Sequence, residues 1–267
     1  MFQRWDPVWP QPKALILDLM GTCCDWHTSL VSALHSIPGI IAPSPASSPG
    51  STSSDALSRL AADWRAGFFA EIHARFEAGA GLGLLLPPED VDVTHRRVLD
   101  RLLEASAADP RIWDEDVRNR LVAQWHVQSG WPDALPALQR LRRDYFIVVL
   151  ANGSTRLQLD IAKSSELPFH TLFSSQLLGL TKPDPAIYLK ALDLMQLRPE
   201  ECVMVAAHAY DLRAAAQVGM RTAYIHRTTE DLDEDMDAVR QQSDLFIDGR
   251  DGSAECGLGT LADMLGV

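Results

Sequence analysis

Four short polar segments of this chain carry side chains that can do covalent chemistry, and each comes after a run of apolar residues. Asp18 opens the first, and a carboxylate placed there can act as a nucleophile. Asn152 and Ser154, in the second, offer hydrogen-bonding groups. Lys182 supplies a cation that would keep a nearby carboxylate ionised, and Asp211 could bind that cation. Together these residue types predict covalent catalysis by an ionised aspartate.

Each of these residues also has an ordinary structural interpretation. Asp18 could cap the turn that follows it, Lys182 could be a solvated loop lysine, and Asp211 could begin a helix as its N-cap. The backbone N–H groups of Leu19 and Met20 are expected to face an anion in the turn after Asp18. The joint placement of these segments favours the functional interpretation.

The elements that position these residues are strands and helices in alternation. Continuous apolar runs predict strands that are buried on both faces. The strongest are residues 14–17, 146–150 and 202–206, with shorter candidates at 172–174, 222–225 and 245–247. Helical periodicity covers residues 134–143, 184–194 and 211–218. This alternation predicts a parallel sheet, which binds ligands at the carboxyl ends of its strands.

A long segment of different character separates the first two strong strands. Residues 37–54 are rich in Pro, Ser and Gly and are expected to form a flexible loop, while 56–78, 91–105 and 115–128 are helical in period. We therefore expect an α/β protein with a Rossmann-like core of residues 1–27 and 132–267. Residues 28–131 are expected to form an inserted helical cap.

The composition and net charge limit the classes of molecule that this chain is expected to bind. The 267 residues carry a formal net charge of −12, which argues against nucleic acid but leaves room for a small anionic substrate. The N-terminal residues lack the pattern of a signal peptide, and no apolar run is long enough to span a bilayer. We expect a cytoplasmic enzyme that does not bind membranes.

The cysteines and the acidic residues give no sign of a metal or a cofactor. Four cysteines without zinc spacing predict reduced thiols. The acidic stretch 230–237 is interpreted as a solvated face rather than a metal site. No cofactor is expected.

The ordered motifs resemble the haloacid dehalogenase superfamily over essentially the whole chain. They are Asp18 with Gly21-Thr22, then Asn152-Gly153-Ser154, Lys182-Pro183 and Asp211. The resemblance implies the fold described above and Asp18 as the covalent nucleophile.

The branch of the superfamily depends on two positions. Its magnesium-dependent phosphatases have a second aspartate two residues after the nucleophile and an acidic residue four before the last aspartate. Here these positions hold Met20, which cannot transfer a proton, and Ala207. The chain is more similar to the type II L-2-haloacid dehalogenases. This resemblance implies that the reaction needs no metal.

That similarity also implies roles for further residues. Trp64 and Arg65 match a Trp-Arg pair of the family, expected near the start of a helix over 60–76, and Arg65 would receive the departing halide. Asn152 would assist Arg65 in receiving the halide, and Tyr188 matches a tyrosine that lines the site. The substrate carboxylate would be held by the Leu19 and Met20 amides, with Thr22, Asn152 or Ser154 nearby. Water would attack the ester near Asp211.

The chain departs from the family pattern at several pocket positions. Met20 replaces a tyrosine, Ala151 replaces a serine, and His208 stands where the family has an asparagine. His208 could orient water near Asp211 or merely fill the place of that asparagine. The alternatives are therefore an atypical phosphatase and a repurposed enzyme or binding protein. A homodimer is plausible from the resemblance.

Overall fold

The computed structural model describes residues 11–39, 53–82, 90–106 and 108–267. The chain divides into two compact units. The first holds the chain up to Asp25 and from Ser129 onward, and the second holds Trp26 to Gln128. The sequence placed these boundaries at 27/28 and 131/132.

The first unit is built on a parallel sheet whose strands are, in chain order, β1 (Ala14–Leu17), β4 (Phe146–Ala151), β5 (Thr171–Ser174), β6 (Cys202–Ala206), β7 (Arg221–His226) and β8 (Leu245–Asp248). Within the described residues this sheet has six strands in the order β5-β4-β1-β6-β7-β8. A short antiparallel pair, β2 (Cys24–Asp25) with β3 (Ser129–Gly130), belongs to the same unit. The predicted strands are confirmed, some extended by a residue or two.

The position of β1 explains why its end carries chemistry. It lies between β4 and β6, where the strand order turns from one direction to the other. Leu17 is in register with Val149 on one side and Val205 on the other. The residues after these strands therefore meet at one edge, which is the usual ligand site of such sheets.

Helices connect the strands of this unit: α5 (Ala134–Leu141), α6 (Thr155–Ser165), α7 (Ser175–Leu178), α8 (Pro185–Met195), α9 (Ala209–Gln217), α10 (Met236–Gln242) and α11 (Leu258–Met264), with a short 3-10 turn at Pro199–Glu201. The α8 helix begins with Pro185 in its first turn, where the missing N–H costs nothing, and the Asp184 carboxylate caps it. The central strands β1 and β6 are apolar throughout, and every one of their side chains is fully buried. This core fixes the strand ends.

The second unit is helical in its described residues: α1 (Trp26–His35), α2 (Ser53–Leu82), α3 (Val91–Ala105) and α4 (Glu115–Gln124). Its core is aromatic, with Trp26, Trp64, Trp113 and Trp125 almost fully buried. Most of the loop expected over 37–54 lies outside the described residues.

Two helix boundaries in this unit differ from the sequence expectation. Trp64 and Arg65 lie well inside α2, which begins at Ser53 rather than at residue 60. The first turn lacks the apolar periodicity that marks the later turns, although Asp55 there suits the helix dipole. The α4 helix ends at Gln124 rather than 128, where the Gln124 side chain donates to the Val127 carbonyl oxygen at 2.8 Å. No helix among the described residues is long and apolar enough to cross a bilayer.

Candidate active site

Asp18 is the first residue after β1, and the loop behind it is tightly held. Its N–H donates to the Val205 carbonyl oxygen at 3.0 Å, and its side chain is 9% exposed. The Thr22 hydroxyl donates to Asp18 Oδ2 at 2.8 Å. Thr22 in turn accepts the Ala207 N–H at 2.9 Å, which joins the loop after β1 to the loop after β6. One carboxylate oxygen is thus fixed from both neighbouring loops.

Lys182 lies on the other oxygen of the same carboxylate. Its Nζ is 2.9 Å from Asp18 Oδ1 and also bonds Asp211 Oδ2, so one ammonium bridges two carboxylates. The Tyr188 hydroxyl donates to Asp211 Oδ1 at 2.5 Å. Lys182, Tyr188 and Asp211 are all essentially buried. The structure therefore brings together four of the residues that the sequence singled out.

The surroundings push the pKa values of the two carboxyl groups apart. Burial opposes ionisation of Asp18, but the charges of Lys182 and His208 outweigh it and hold its pKa well below the usual value. Burial and the Asp18 charge raise the pKa of Asp211, with Lys182 acting against them. Burial lowers the pKa of Lys182, but the two carboxylates more than compensate and raise it. Asp18 is therefore an ionised carboxylate beside a permanent ammonium, the state a nucleophile requires.

His208 occupies the Oδ2 side and links Asp18 to a residue that sequence reasoning missed. Its Nδ1 is 3.2 Å from Asp18 Oδ2, and its Nε2 is 2.8 Å from Glu230 Oε2. The Thr229 hydroxyl donates to the other Glu230 oxygen at 2.8 Å. The expectation that the stretch 230–237 is a solvated face is wrong for Glu230, which is 3% exposed. It is correct for Leu232, Asp233, Asp235 and Asp237, which are exposed.

The reason for this error is local. Composition marked the stretch as acidic, but it could not show that the loop after β7 turns its first carboxylate inward onto His208. A signal did exist, since Glu230 follows a predicted strand by a few residues, as the other site residues do. Its position after a strand indicated a site residue, but the charged residues that follow made the whole stretch look like an exposed surface.

The two contacts of His208 define its charge. Nε2 is hydrogen-bonded to Glu230 Oε2 and Nδ1 makes an ion-pair contact with Asp18 Oδ2, so a carboxylate faces each side of the ring. Burial lowers the pKa of His208, but its bonds to Asp18 and Glu230 outweigh burial and raise it to about 10. His208 is an imidazolium at neutral pH.

Gly21 makes room for the Glu230 carboxylate. Its φ of +87° suits glycine, and a Cβ added there would lie 2.4 Å from Glu230 Cδ. The glycine in the first motif therefore does more than turn the chain. It allows a carboxylate from the loop after β7, two strands away from β1, to approach the nucleophile loop.

A second buried ion pair supports the same loop. Arg227 forms two bonds with Asp133, at 2.9 and 2.8 Å, and both side chains are fully buried. Arg227 Nη2 also donates to the Thr22 carbonyl oxygen at 3.1 Å, and Asp133 accepts the Leu258 N–H at 2.7 Å. No motif marked either residue in the sequence. The pair fixes the backbone of Thr22, whose hydroxyl fixes Asp18.

Asn152 and Ser154 use their side chains within the protein scaffold. The Asn152 amide accepts the Lys182 N–H at 2.8 Å and donates to the Lys182 carbonyl oxygen at 3.0 Å, which positions the lysine backbone. Ser154 caps α6 by accepting the Leu157 N–H at 3.1 Å. Leu19 is buried, and Met20 forms an isolated bridge with Cys24. Substrate contacts of all four residues remain predictions.

Arg65 belongs to the helical unit and lies among aromatic rings there. Its guanidinium carbon is 4.3 Å from the Phe69 ring centroid, 5.4 Å from Trp26 and 5.9 Å from Trp125. It is 7% exposed, so ring faces contribute to holding a buried cation. Its role towards a halide remains a prediction.

Comparison with known proteins identifies the family. The family model of haloacid dehalogenase-like hydrolases matches residues 12–219. The chain belongs to the haloacid dehalogenase-like hydrolases. The resemblance seen in the motifs is thereby confirmed, as are the α/β fold and the assignment as a hydrolase.

Individual relatives agree with this. A solved structure titled L-2-haloacid dehalogenase PA0810 has a TM-score of 0.74 and 30% identity, over 95% of this chain and 98% of that one. (S)-2-haloacid dehalogenase 1 of Pseudomonas sp. is 26% identical over 83% of this chain and 86% of its own length. (S)-2-haloacid dehalogenase 4A of Burkholderia cepacia is 32% identical over 42% of this chain and about half (49%) of its own length. Glyceraldehyde 3-phosphate phosphatases also match, over 35–50% of this chain.

Proposed function

We propose that this hydrolase removes halide from 2-haloalkanoic acids through an ester on Asp18, without a metal. The observation that carries the proposal is the buried Asp18 carboxylate with Lys182 Nζ 2.9 Å from its Oδ1. Displacement at carbon needs an ionised, fixed carboxylate, and this arrangement supplies one.

The reaction has two steps. Asp18 attacks the carbon that bears the halogen, the carbon–halogen bond breaks, and the halide leaves with the bonding electrons. Water then adds to the carbonyl carbon of the ester near Asp211, and the bond from that carbon to the substrate oxygen breaks. One proton of the water ends on the 2-hydroxy acid, and the other is released to solvent when Asp18 becomes a carboxylate again.

The donor set does not suit the magnesium of the phosphatase branch. Hard cations require oxygen ligands, but Lys182 and His208 place cationic groups on the two oxygens of Asp18. Met20 and Ala207 stand where the phosphatases have carboxylates. The described residues contain no group of three or more acidic, His or Cys side chains that could hold a metal ion. This favours carbon–halogen chemistry over phosphoryl transfer.

The deciding experiment measures halide release from L- and D-2-haloacids in the presence of EDTA. We expect release by the wild type and none by Asp18→Asn. A single turnover in water enriched in heavy oxygen should place the label in the peptide that contains Asp18. Full activity of Asp18→Asn would contradict the mechanism. Magnesium-dependent hydrolysis of phosphate esters without halide release would support the phosphatase alternative, and neither activity would indicate a repurposed pocket.

A further inference from the structure

The proposed function leaves one buried cation of the site without a task. Lys182 already places a positive charge on Asp18 Oδ1, yet His208 places a second one on the same carboxylate. Burying a histidine with two carboxylates carries a desolvation cost that their attraction must offset, and groups of this kind cluster at functional sites. The contacts of the two Asp18 oxygens indicate what that use is.

The two oxygens of Asp18 differ in their hydrogen bonds. Oδ2 accepts from Thr22 Oγ1 at 2.8 Å and lies 3.2 Å from His208 Nδ1, so two polar groups crowd this oxygen. Oδ1 accepts from Lys182 Nζ at 2.9 Å. The oxygen with the less crowded lone pairs is the better nucleophile. Oδ1 would therefore become the ester oxygen, and Oδ2 would remain as the ester carbonyl oxygen.

We propose that His208 and Thr22 form an oxyanion hole at Asp18 Oδ2 for hydrolysis of the ester, and that Glu230 positions His208 for it. When water adds to the ester carbonyl carbon, the electron pair of the C=O bond moves onto Oδ2. The negative charge then lies between a hydroxyl and an imidazolium that are already in place. Preorganised donors at a developing oxyanion lower the barrier because nothing has to reorient.

Glu230 does not reach the reacting atoms and acts through the histidine. Its Oε2 lies 2.8 Å from His208 Nε2, the Thr229 hydroxyl fixes its other oxygen, and Gly21 leaves the space it occupies. When Asp18 is esterified its negative charge is lost, and Glu230 remains as the carboxylate that directly bonds His208. Glu230 therefore keeps the imidazolium protonated during the step that uses it.

The test rests on the proposed function and measures its two steps separately. Mixing enzyme with L-2-chloropropionate gives the first-turnover release of chloride, and intact mass gives the ester on Asp18. We expect His208→Phe to release one equivalent of chloride, accumulate the ester and hydrolyse it roughly 10²–10³-fold more slowly than the wild type. His208→Asn restores an uncharged donor and should recover part of the rate.

Glu230→Gln tests the positioning role through pH. Other ionisable groups near His208 are those of Asp18, Asp211, Tyr210, Lys182, Glu230 and Asp231. Ester hydrolysis should fall as pH rises and His208 loses its proton, and Glu230→Gln should move that fall to lower pH. The matched control is Asp233→Asn, which removes an exposed carboxylate from the same loop and should leave rate and pH profile unchanged.

The outcomes separate the two proposals. No chloride from the wild type would overturn the proposed function and this inference with it. Chloride release with normal ester hydrolysis in His208→Phe and His208→Asn would overturn the inference alone. Ester hydrolysis that accelerates as His208 deprotonates would make it a general base and would also overturn the oxyanion role. If His208→Phe does not fold, His208→Asn and Glu230→Gln decide the question.

Discussion

The two sides of the Asp18 carboxylate use different kinds of cation. At Oδ1 stands Lys182, shared with Asp211, whose pKa is raised by its carboxylate neighbours and whose charge is permanent at any working pH. At Oδ2 stands His208, shared with Glu230, with a pKa raised to about 10. The Lys182 side therefore keeps its charge to higher pH than the His208 side, which can lose it in alkaline solution.

The two buried cations are held in the same way. Each lies between Asp18 and a second carboxylate, which is Asp211 for Lys182 and Glu230 for His208. That second carboxylate also accepts a hydrogen bond from a hydroxyl, from Tyr188 or Thr229 respectively. A buried charge that is paired and hydrogen-bonded is tolerated, while one that loses its partner is strongly destabilising. The two sides therefore differ in the pH at which the cation loses its charge and not in how the cation is packed. Variants of each cation can test the two sides separately.

The largest effect is expected from removing the permanent charge. Lys182→Met leaves Asp18 and Asp211 close together without their shared cation, so the pKa of Asp18 rises and its nucleophilicity falls. We expect first-turnover halide release to slow by on the order of 10³-fold, comparable to the loss of a key electrostatic donor. Rapid-mixing measurement of halide tests this.

The control for that variant is on the same helix as Tyr188. Lys190→Met removes an exposed lysine of α8 and should leave the rate of halide release unchanged. If Lys182→Met folds and releases halide at the wild-type rate, then Lys182 has no electrostatic part in the displacement. Loss of ester hydrolysis alone in this variant would mean that the two sides do not divide the reaction as proposed.

The sequence predicted the Oδ1 side much better than the Oδ2 side. Asp18, Lys182 and Asp211 belong to motifs with ordered spacing that follow β1, β5 with α7, and β6, so the sheet topology brings them to one edge. Glu230 belongs to no motif, and its inward turn depends on the space left by Gly21 and on the partner His208. Strand positions follow from apolar runs, whereas the direction of a loop carboxylate depends on contacts that are distant in sequence.

The same distinction applies to Asn152 and to the pair of Arg227 with Asp133. Asn152 was predicted as a substrate-side donor from its motif, while the structure shows its amide bonded twice to the Lys182 backbone. Arg227 and Asp133 are 94 positions apart, and nothing local marks either residue. Sequence spacing predicts which loops converge, but it does not say which side chains serve the scaffold.

An intermediate effect, on stability, is expected from breaking this second ion pair behind the Oδ2 side. Arg227→Met leaves Asp133 as a fully buried charge and frees the Thr22 carbonyl oxygen. We expect the free energy of unfolding to fall by about 3–5 kcal/mol, as for other buried pairs that lose one partner. The midpoint of denaturant unfolding measures this. An exposed pair such as Arg250 with Asp248 is the comparison, and Arg250→Met should leave the free energy of unfolding nearly unchanged.

A pH dependence of stability is also expected, and it belongs to the Oδ2 side. The pKa of His208 is about 10 in the folded protein, against 6.5 as its reference value for an unfolded chain. Because the folded pKa is the higher one, the folded state binds more protons between these values, and stability falls as pH rises. The contribution of His208 is complete below pH about 6.5 and is lost by pH about 10. The free energy of unfolding of the wild type should therefore approach that of His208→Asn across this window, since the other titrating groups are common to both. A constant difference would mean that His208 does not titrate there, and its protonated role at Oδ2 would then lose its support.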